Sequence, residues 1–300
     1  MNVPRWRYRL FKYGFFVFAA MFAVMLAYNY NYTIFKFLIS SNYIFEDSLK
    51  SLYVETLSEE NVKGLGQNFD HFVVSAVTEK IRAYNGDRYT YLYTPQTYTL
   101  SKEMEKADAE EARIEQLTDN TVYMLLPNIS SGTKDFVVSK KSELAKYKNL
   151  VIDLRGNYGG MLMDAYTMAE LFTARGDVLG YEKMRLPFLT HAVKSGNGAY
   201  FDFERIIILQ DANTASAAES IISALKGNLG NVTLMGQKSF GKGIGQVTVP
   251  LTGGFAVKAT VLILAGPDDV SIHGQGIEPD VFVDGENIIS AALEVLGDNK

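Results

Sequence analysis

The chain has no cysteine, which excludes disulfides, a thiolate nucleophile and cysteine-ligated zinc together. It has only three histidines, His71, His191 and His273. No two of them stand at the H-x-x-x-H spacing that puts a pair of imidazoles on adjacent helical turns, so any metal would have to rely on oxygen ligands, and no cofactor is expected. Long runs of Lys and Arg are also missing and the net charge is -5, so there is no concentrated positive surface to hold phosphate, and nucleic acid is not an expected partner. What is present is apolar material: 300 residues at 47% hydrophobic and 21% charged can bury one large core or two smaller ones.

Charge is absent over one long stretch, from Tyr13 to Phe35, whose first part, YGFFVFAAMFAVMLAY, is strongly apolar. Its length predicts a transmembrane helix, and Arg5, Arg7, Arg9 and Lys12 before it predict a cytoplasmic N-terminus with the remainder of the chain exported. No A-x-A-like cleavage site follows, and interfacial tyrosines continue the run, so an anchor is expected rather than a cleaved signal peptide.

Between Ser41 and about Tyr84 apolar residues recur at helical spacing, at Leu49, Leu52 and Tyr53 and again at Phe69, Phe72, Val73, Ala76 and Val77, predicting two helices. Gly86-Asp87 ends the second, and the alternating RYTYLYTPQTY predicts a strand that stops at Pro95. SKEMEKADAEEARIEQ, residues 101–116, has almost nothing to bury and reads as an exposed helix or linker. Thereafter strand and helix patterns alternate: NTVYMLLPN, SKKSELAKYK, NLVIDLRG, MLMDAYTMAELFTARG, ERIIILQ, SAAESIISALKGN, NVTLMG, and a hairpin turning at Thr252-Gly253-Gly254. Such alternation predicts an α/β fold with a largely parallel sheet and crossover helices. The expected organisation is a basic tail and anchor (1–40), an N-terminal helical subdomain (41–100), a charged linker (101–118) and an α/β domain (119–300).

Loops that follow buried strands are where α/β proteins place reactive groups. Three qualify: Arg155 to Gly160 after VIDL, Asp211 to Ser216 after IIILQ, and Gln237 to Gly243 after VTLM. Ser216 opens a helix whose first-turn N–H groups and dipole favour an oxyanion, although Ser216-Ala-Ala-Glu219 is equally a capping box in which the serine serves only the helix end. A hydroxyl needs a base to become a nucleophile. No histidine lies near these loops in sequence, and Lys242, between Gly241 and Gly243, is the economical choice. Its pKa would have to fall from about 10.4 to near 7, which requires burial. The absence of any acidic residue between Glu219 and Asp268 removes one obstacle.

Five segments in order, GDRYTYLYTP, VIDLRGNYGG, NTASAAES, SFGKGIGQ and DDVSIHGQGIEPDV, resemble the successive signatures of the C-terminal processing, or tail-specific, serine peptidases. The resemblance implies a crotonase/ClpP-like core with a mixed, largely parallel sheet, polypeptide substrates, Ser216 as nucleophile, Lys242 as general base, and Gln246 as the residue that orients the lysine amine. It also implies an oxyanion hole from the backbone of Ala217 and of the Gly159-Gly160 turn. Three departures stand out: Tyr158 replaces the proline usual in that turn, Ala218 stands where the family usually has a second serine, and Ser216 to Lys242 is one residue longer than usual, an insertion placed in the polar 226–231 loop. Larger than these, a PDZ module of some ninety residues, usual between the first and second segments, is replaced by the charged 101–116 region.

Three rival readings are weaker. Gly236-x-x-x-x-Gly241-Lys242 approaches a Walker A motif, but Gly243 replaces the magnesium-binding hydroxyl and GQVTVPL reads as strand where a helix must follow, so no nucleotide is expected. Ser131-x-x-Lys134, Tyr147-x-Asn149 and Lys194-Ser-Gly196 mimic the order of a penicillin-recognising enzyme with spacing too compressed for one. A non-catalytic scaffold at the membrane could keep the same fold; joint retention of Ser216, Lys242 and Gln246 speaks against it.

Overall fold

The computed structural model describes residues 5–28, 30–45, 69–107, 112–285 and 287–298. The chain divides into two units, Met1–Ser101 with Gln246–Thr260, and Lys102–Gly245 with Val261–Lys300.

The first unit begins with helices α1 (Arg5–Tyr28) and α2 (Tyr30–Asn42). The expected transmembrane helix is not found: among the described residues no helix is long and apolar enough to cross a membrane. The uncharged stretch is divided between the two helices, and its apolar part in α1, Tyr13 to Tyr28, rises only about 24 Å against a hydrocarbon core of about 30 Å. Asn31 and Phe35 of the stretch are buried in protein, and Leu38 and Ile39 beyond it continue the buried side of α2 at i, i+3, i+4 spacing from Phe35. In α1 itself Phe15, Phe16, Phe18, Met21 and Phe22 are exposed.

Helix α3 (Phe69–Asn85) packs on α2 and buries Val74, Val77 and Ile81. The helix expected around Leu49 to Tyr53 lies outside the described residues. Gly86 (φ +63) ends α3 as its sequence predicts, and Asp87 then turns inward. Its carboxylate accepts from Tyr43 Oη at 3.0 Å, Thr90 Oγ1 at 2.6 Å and the Tyr89 amide at 3.0 Å. Burial first, and then the Asp87 charge, push the Tyr43 hydroxyl far above its ordinary range and keep it a donor. Strand β1 (Tyr91–Tyr93) stops before Pro95, which does more than end it: Pro95 starts α4 (Pro95–Ala107), the position where its missing N–H has no intrahelical acceptor to lose.

The second unit runs β2 (Arg113–Gln116), β3 (Thr121–Leu125), α5 (Ser131–Leu144), β4 (Asn149–Asp153), α6 (Leu162–Ala169), β5 (Val178–Met184), β6 (His191–Lys194), β7 (Arg205–Gln210), α7 (Ala217–Asn228), β8 (Val232–Gly236), β9 (Ile244–Pro250), β10 (Ala256–Ala265), β11 (Val281–Phe282) and α8 (Ile288–Leu296), with β9 from Gln246 on and β10 up to Thr260 belonging to the first unit. Among the described residues six strands make a sheet in the order β11-β8-β7-β4-β3-β2, parallel except for β2. The predicted α/β fold with a mixed, largely parallel sheet is therefore what forms.

Period-2 alternation explains why its strands read as continuous apolar runs. Val122 and Met124, Leu150 and Ile152, Ile206 and Ile208 face a core shared with helices α5, α6 and α7. The intervening Tyr123, Val151, Ile207 and Leu209 face a second core closed by α8 through Ile288, Ala292 and Leu296. Both faces are covered, and the sheet's carboxyl ends are left for function.

Two expectations shift. The end of the charged 101–116 segment is an edge strand, not a linker: Arg113–Gln116 pairs antiparallel with β3 and turns only Ile114 toward the core, a charged edge that discourages further pairing. Helix α5 begins at Ser131, about two turns before the Ser139 start that the sequence pattern suggests, because Ser130 Oγ accepts the Thr133 amide as an N-cap.

Candidate active site

The three loops singled out by sequence leave the carboxyl ends of β4, β7 and β8, which lie side by side, so parallel pairing alone brings them together. Hydrogen bonds then stitch them. Asp211 Oδ1 and Oδ2 accept the Gly156 amide at 3.0 and 3.1 Å, Thr214 Oγ1 donates to Leu154 O at 2.8 Å, and the Ala215 amide donates to Asn157 O at 2.9 Å. The Phe240 amide donates to Thr214 O at 2.9 Å and ties in the third loop. Thr214 and Asn157 are fully buried, so the bonds they make are not shared with water, whereas the Gly156–Asp211 pair is exposed.

Ser216 stands just before the first residue of α7 with φ +58 and ψ -121, a conformation that L-residues with a side chain rarely adopt. A strand, a sharp turn and a helix with serine at the turn is the geometry of a nucleophile elbow. Gly159 explains part of the strain. A Cβ there would meet Ala215 O at 2.6 Å, the Ser216 Cβ at 2.8 Å and the Ala217 amide nitrogen at 2.9 Å. At φ +94, only glycine lets this turn lie against the serine. Its neighbour Gly160 is pressed equally closely on the other side, where a Cβ would meet Ile129 O at 2.0 Å.

The amides of the Gly159-Gly160 turn are not equivalent. Gly159 N–H donates to Asn157 Oδ1 at 2.8 Å, and Asn157 is itself fixed by Nδ2 donating to Leu126 O at 2.7 Å. Gly159 is therefore occupied, whereas the Ala217 N–H, in the first turn of α7, has no acceptor within the helix. Tyr158, in the proline position, points outward and is exposed.

Lys242 reaches the same place by a route the sequence does not disclose. Glu219, fully buried in the first turn of α7, accepts the Ser216 amide at 2.8 Å, as a capping box requires. The same Oε2 accepts the Lys242 amide at 2.8 Å, while Oε1 accepts Ser239 Oγ at 2.6 Å and the Gly241 amide at 2.8 Å. Glycine is needed on both sides of Lys242: a Cβ at Gly241 (φ +84) would meet the Gly276 amide at 2.7 Å, and one at Gly243 the His273 amide at 2.6 Å. The SIHGQG segment thus lies along the Gly-Lys-Gly loop, with the Gly274 amide donating to Gly241 O at 2.8 Å.

Ser216, Ala217, Gly159, Gly160 and Lys242 are thus carried by loops that bond to one another. Ser216 and Lys242 are both partly buried. Gln246 lies on β9 in the other unit, and its Nε2 is buried with no hydrogen-bond partner. In sequence Glu219 reads as part of a helix cap, no acidic residue stands between it and Asp268, and no histidine stands near the Lys242 loop. The fold sets the buried Glu219 carboxylate on the Lys242 amide and the His273 backbone against Gly243. Asn157 carried no sequence signal beyond its place in the turn. Among the described residues no three His, Asp or Glu side chains gather so as to hold a metal ion.

Residues 120–283 match peptidase family S41. A probable CtpA-like serine protease of Staphylococcus epidermidis is 31% identical over 185 residues, which cover 60% of this chain and 36% of the relative. One from Staphylococcus aureus is 34% identical over 166 residues, 55% of this chain and 32% of the relative. The chain thus spans about a third of the length of these curated relatives. In fold, it is similar to a lipoprotein from Streptococcus agalactiae (TM-score 0.69, 17% identity, covering 91% of this chain and 96% of that one). It is also similar to the photosystem II D1 C-terminal processing protease (TM-score 0.65, 16% identity, covering 89% and 96%).

Proposed function

Because the chain belongs to peptidase family S41, we propose that it is a serine endopeptidase that cleaves polypeptides by acyl transfer to Ser216, with Lys242 as general base. The observation that carries this reading is the backbone of Ser216, held at φ +58 against Gly159 at the start of α7. Strain of that kind costs on the order of 1–3 kcal/mol and persists at functional turns.

In the proposed reaction the neutral Lys242 amine takes the Ser216 hydroxyl proton as Oγ bonds to the substrate carbonyl carbon. The oxyanion is met by the Ala217 amide and one from the Gly159-Gly160 turn, of which Gly160 is the one not committed to Asn157. The tetrahedral species collapses, the C–N bond breaks, and the lysine proton passes to the departing amine. Water, deprotonated by the same lysine, then releases the acyl group and regenerates the serine. Gln246 is assigned the orienting of the lysine amine on the strength of the family motif.

Membrane attachment through α1 is part of the proposal. Its apolar side chains are exposed and Arg5, Arg7, Arg9 and Lys12 precede them, which favours a cytoplasmic N-terminus and substrates outside the cytoplasm. Resistance of the full chain to carbonate extraction, lost when residues 1–28 are removed, is the expected result; release of the full chain by carbonate would contradict it.

The activity is tested by incubating the full chain and its Ser216→Ala variant with unfolded casein. Cleavage by the first and not the second is expected. Equal cleavage by both would refute the assignment of Ser216, and none by either would favour a non-catalytic scaffold.

A further inference from the structure

We propose that Glu219 is a positioning residue which holds the nucleophile turn and the base loop in register by sharing one carboxylate between them; this rests on the Ser216–Lys242 reading above. Oε2 receives the Ser216 and Lys242 amides, each at 2.8 Å, so the two nitrogens lie within twice that distance of each other. Oε1 receives Ser239 Oγ at 2.6 Å and the Gly241 amide at 2.8 Å, which fixes the base loop at two further points. All four neighbours donate, the pattern that an ionised carboxylate accommodates and a protonated acid or an amide does not. Ser239 Oγ also accepts the Ile277 amide at 2.7 Å, so the clamp is extended to the strand-bound segment behind the loop.

A helix cap needs only the first of these bonds. The other three come from residues twenty or more positions away, on a loop with no helix to cap. Their geometric effect is to set where Lys242 leaves the backbone relative to Ser216, and reactions that depend on two aligned groups are sensitive to displacements of about 1 Å. Glu219 touches no substrate in this scheme; it acts through the two residues that do.

The test compares the full chain with Glu219→Gln and Glu219→Asp by two readouts. In Glu219→Gln one oxygen is replaced by a donor, so two of the four donors lose their acceptor; Glu219→Asp keeps the charge and is the fallback if the glutamine variant does not fold. The first readout is the amide proton shifts of Ser216, Gly241 and Lys242: in a folded variant those that face the new amide group, either Gly241 or the Ser216 and Lys242 pair, should move upfield. Shifts that stay in place would overturn the clamp. The second is peptide cleavage: kcat should fall about 100-fold or more with KM within about twofold, and partial recovery is expected in Glu219→Asp. An unchanged kcat, or a loss confined to KM, would overturn the positioning role. Cleavage that survives in Ser216→Ala marks failure of the underlying reading instead, whatever Glu219→Gln does.

Discussion

A Cβ on Gly159 would stand 2.8 Å from the Cβ of Ser216, closer than two such carbons approach. Gly159→Ala must therefore displace the serine turn, and a fall in kcat/KM of about 100-fold is expected with a loss of stability of about 1–3 kcal/mol. Gly156, in the same loop at φ +71, provides the control because a Cβ there meets nothing within 4 Å. Gly156→Ala should cost about 1 kcal/mol of backbone strain and leave kcat/KM within about twofold. Kinetics and thermal melting on the two variants separate steric displacement from strain alone.

The base assignment makes opposite demands on two neighbours. Lys242→Ala and Lys242→Arg should both abolish turnover, the second because a guanidinium does not release its proton. His273, whose backbone lies 2.6 Å from a Cβ built on Gly243, is the histidine that the fold brings to this loop. His273→Asn should keep activity within about tenfold; loss equal to that of Lys242→Ala would transfer the base role to it.

The rate of a lysine-based reaction should fall on the acid side of the profile, where the amine is protonated and cannot accept the serine proton. A profile flat from about pH 5 to 9 is incompatible with that base.

Thr214 joins two loops through its hydroxyl, which donates to Leu154 O at 2.8 Å in a fully buried setting. Thr214→Val keeps the shape, removes one of the two donors to that carbonyl (the Asn157 amide at 3.1 Å remains) and takes the Thr214 Oγ1 acceptor from the Asp211 amide (2.9 Å), so it should cost about 1–3 kcal/mol, read as a lowered denaturation midpoint. Because the same loop carries Ser216, kcat should fall as well.

Glu182 provides a pH test of the second unit. Burial raises its carboxyl pKa, an effect partly offset by His191 Nε2 at 3.6 Å. A carboxyl raised on folding favours the fold while protonated, and that contribution is lost as pH rises through the raised value. Glu182→Gln should therefore melt at a higher temperature than the parent at pH 7, with the difference closing below about pH 4. A constant difference across that range would contradict the assignment.

The strands and helices of the sheet were legible because each carries its own periodicity: Leu150 and Ile152 to one core, Val151 to the other. The β5–β6 hairpin, β11 and α8 went unread, since short strands with mixed burial such as Val178–Met184 carry no clean alternation. The expected span over Tyr13 to Phe35 is not found because absence of charge does not distinguish lipid from protein surroundings: the stretch is divided between α1 and α2, and Asn31 and Phe35 are buried in protein. At the site, the residue types and their order could be read along the chain. What could not was the carboxylate of Glu219 serving Ser239, Gly241 and Lys242, because only the closed fold brings partners so distant in sequence to one side chain.

The most direct measurement is reaction of the full chain with a fluorophosphonate, followed by peptide mass mapping in the parent and in Lys242→Ala. A serine nucleophile activated by Lys242 gives a single adduct on Ser216 and little or none in the variant. An adduct on another residue, or labelling of Ser216 at the same rate without Lys242, would contradict it.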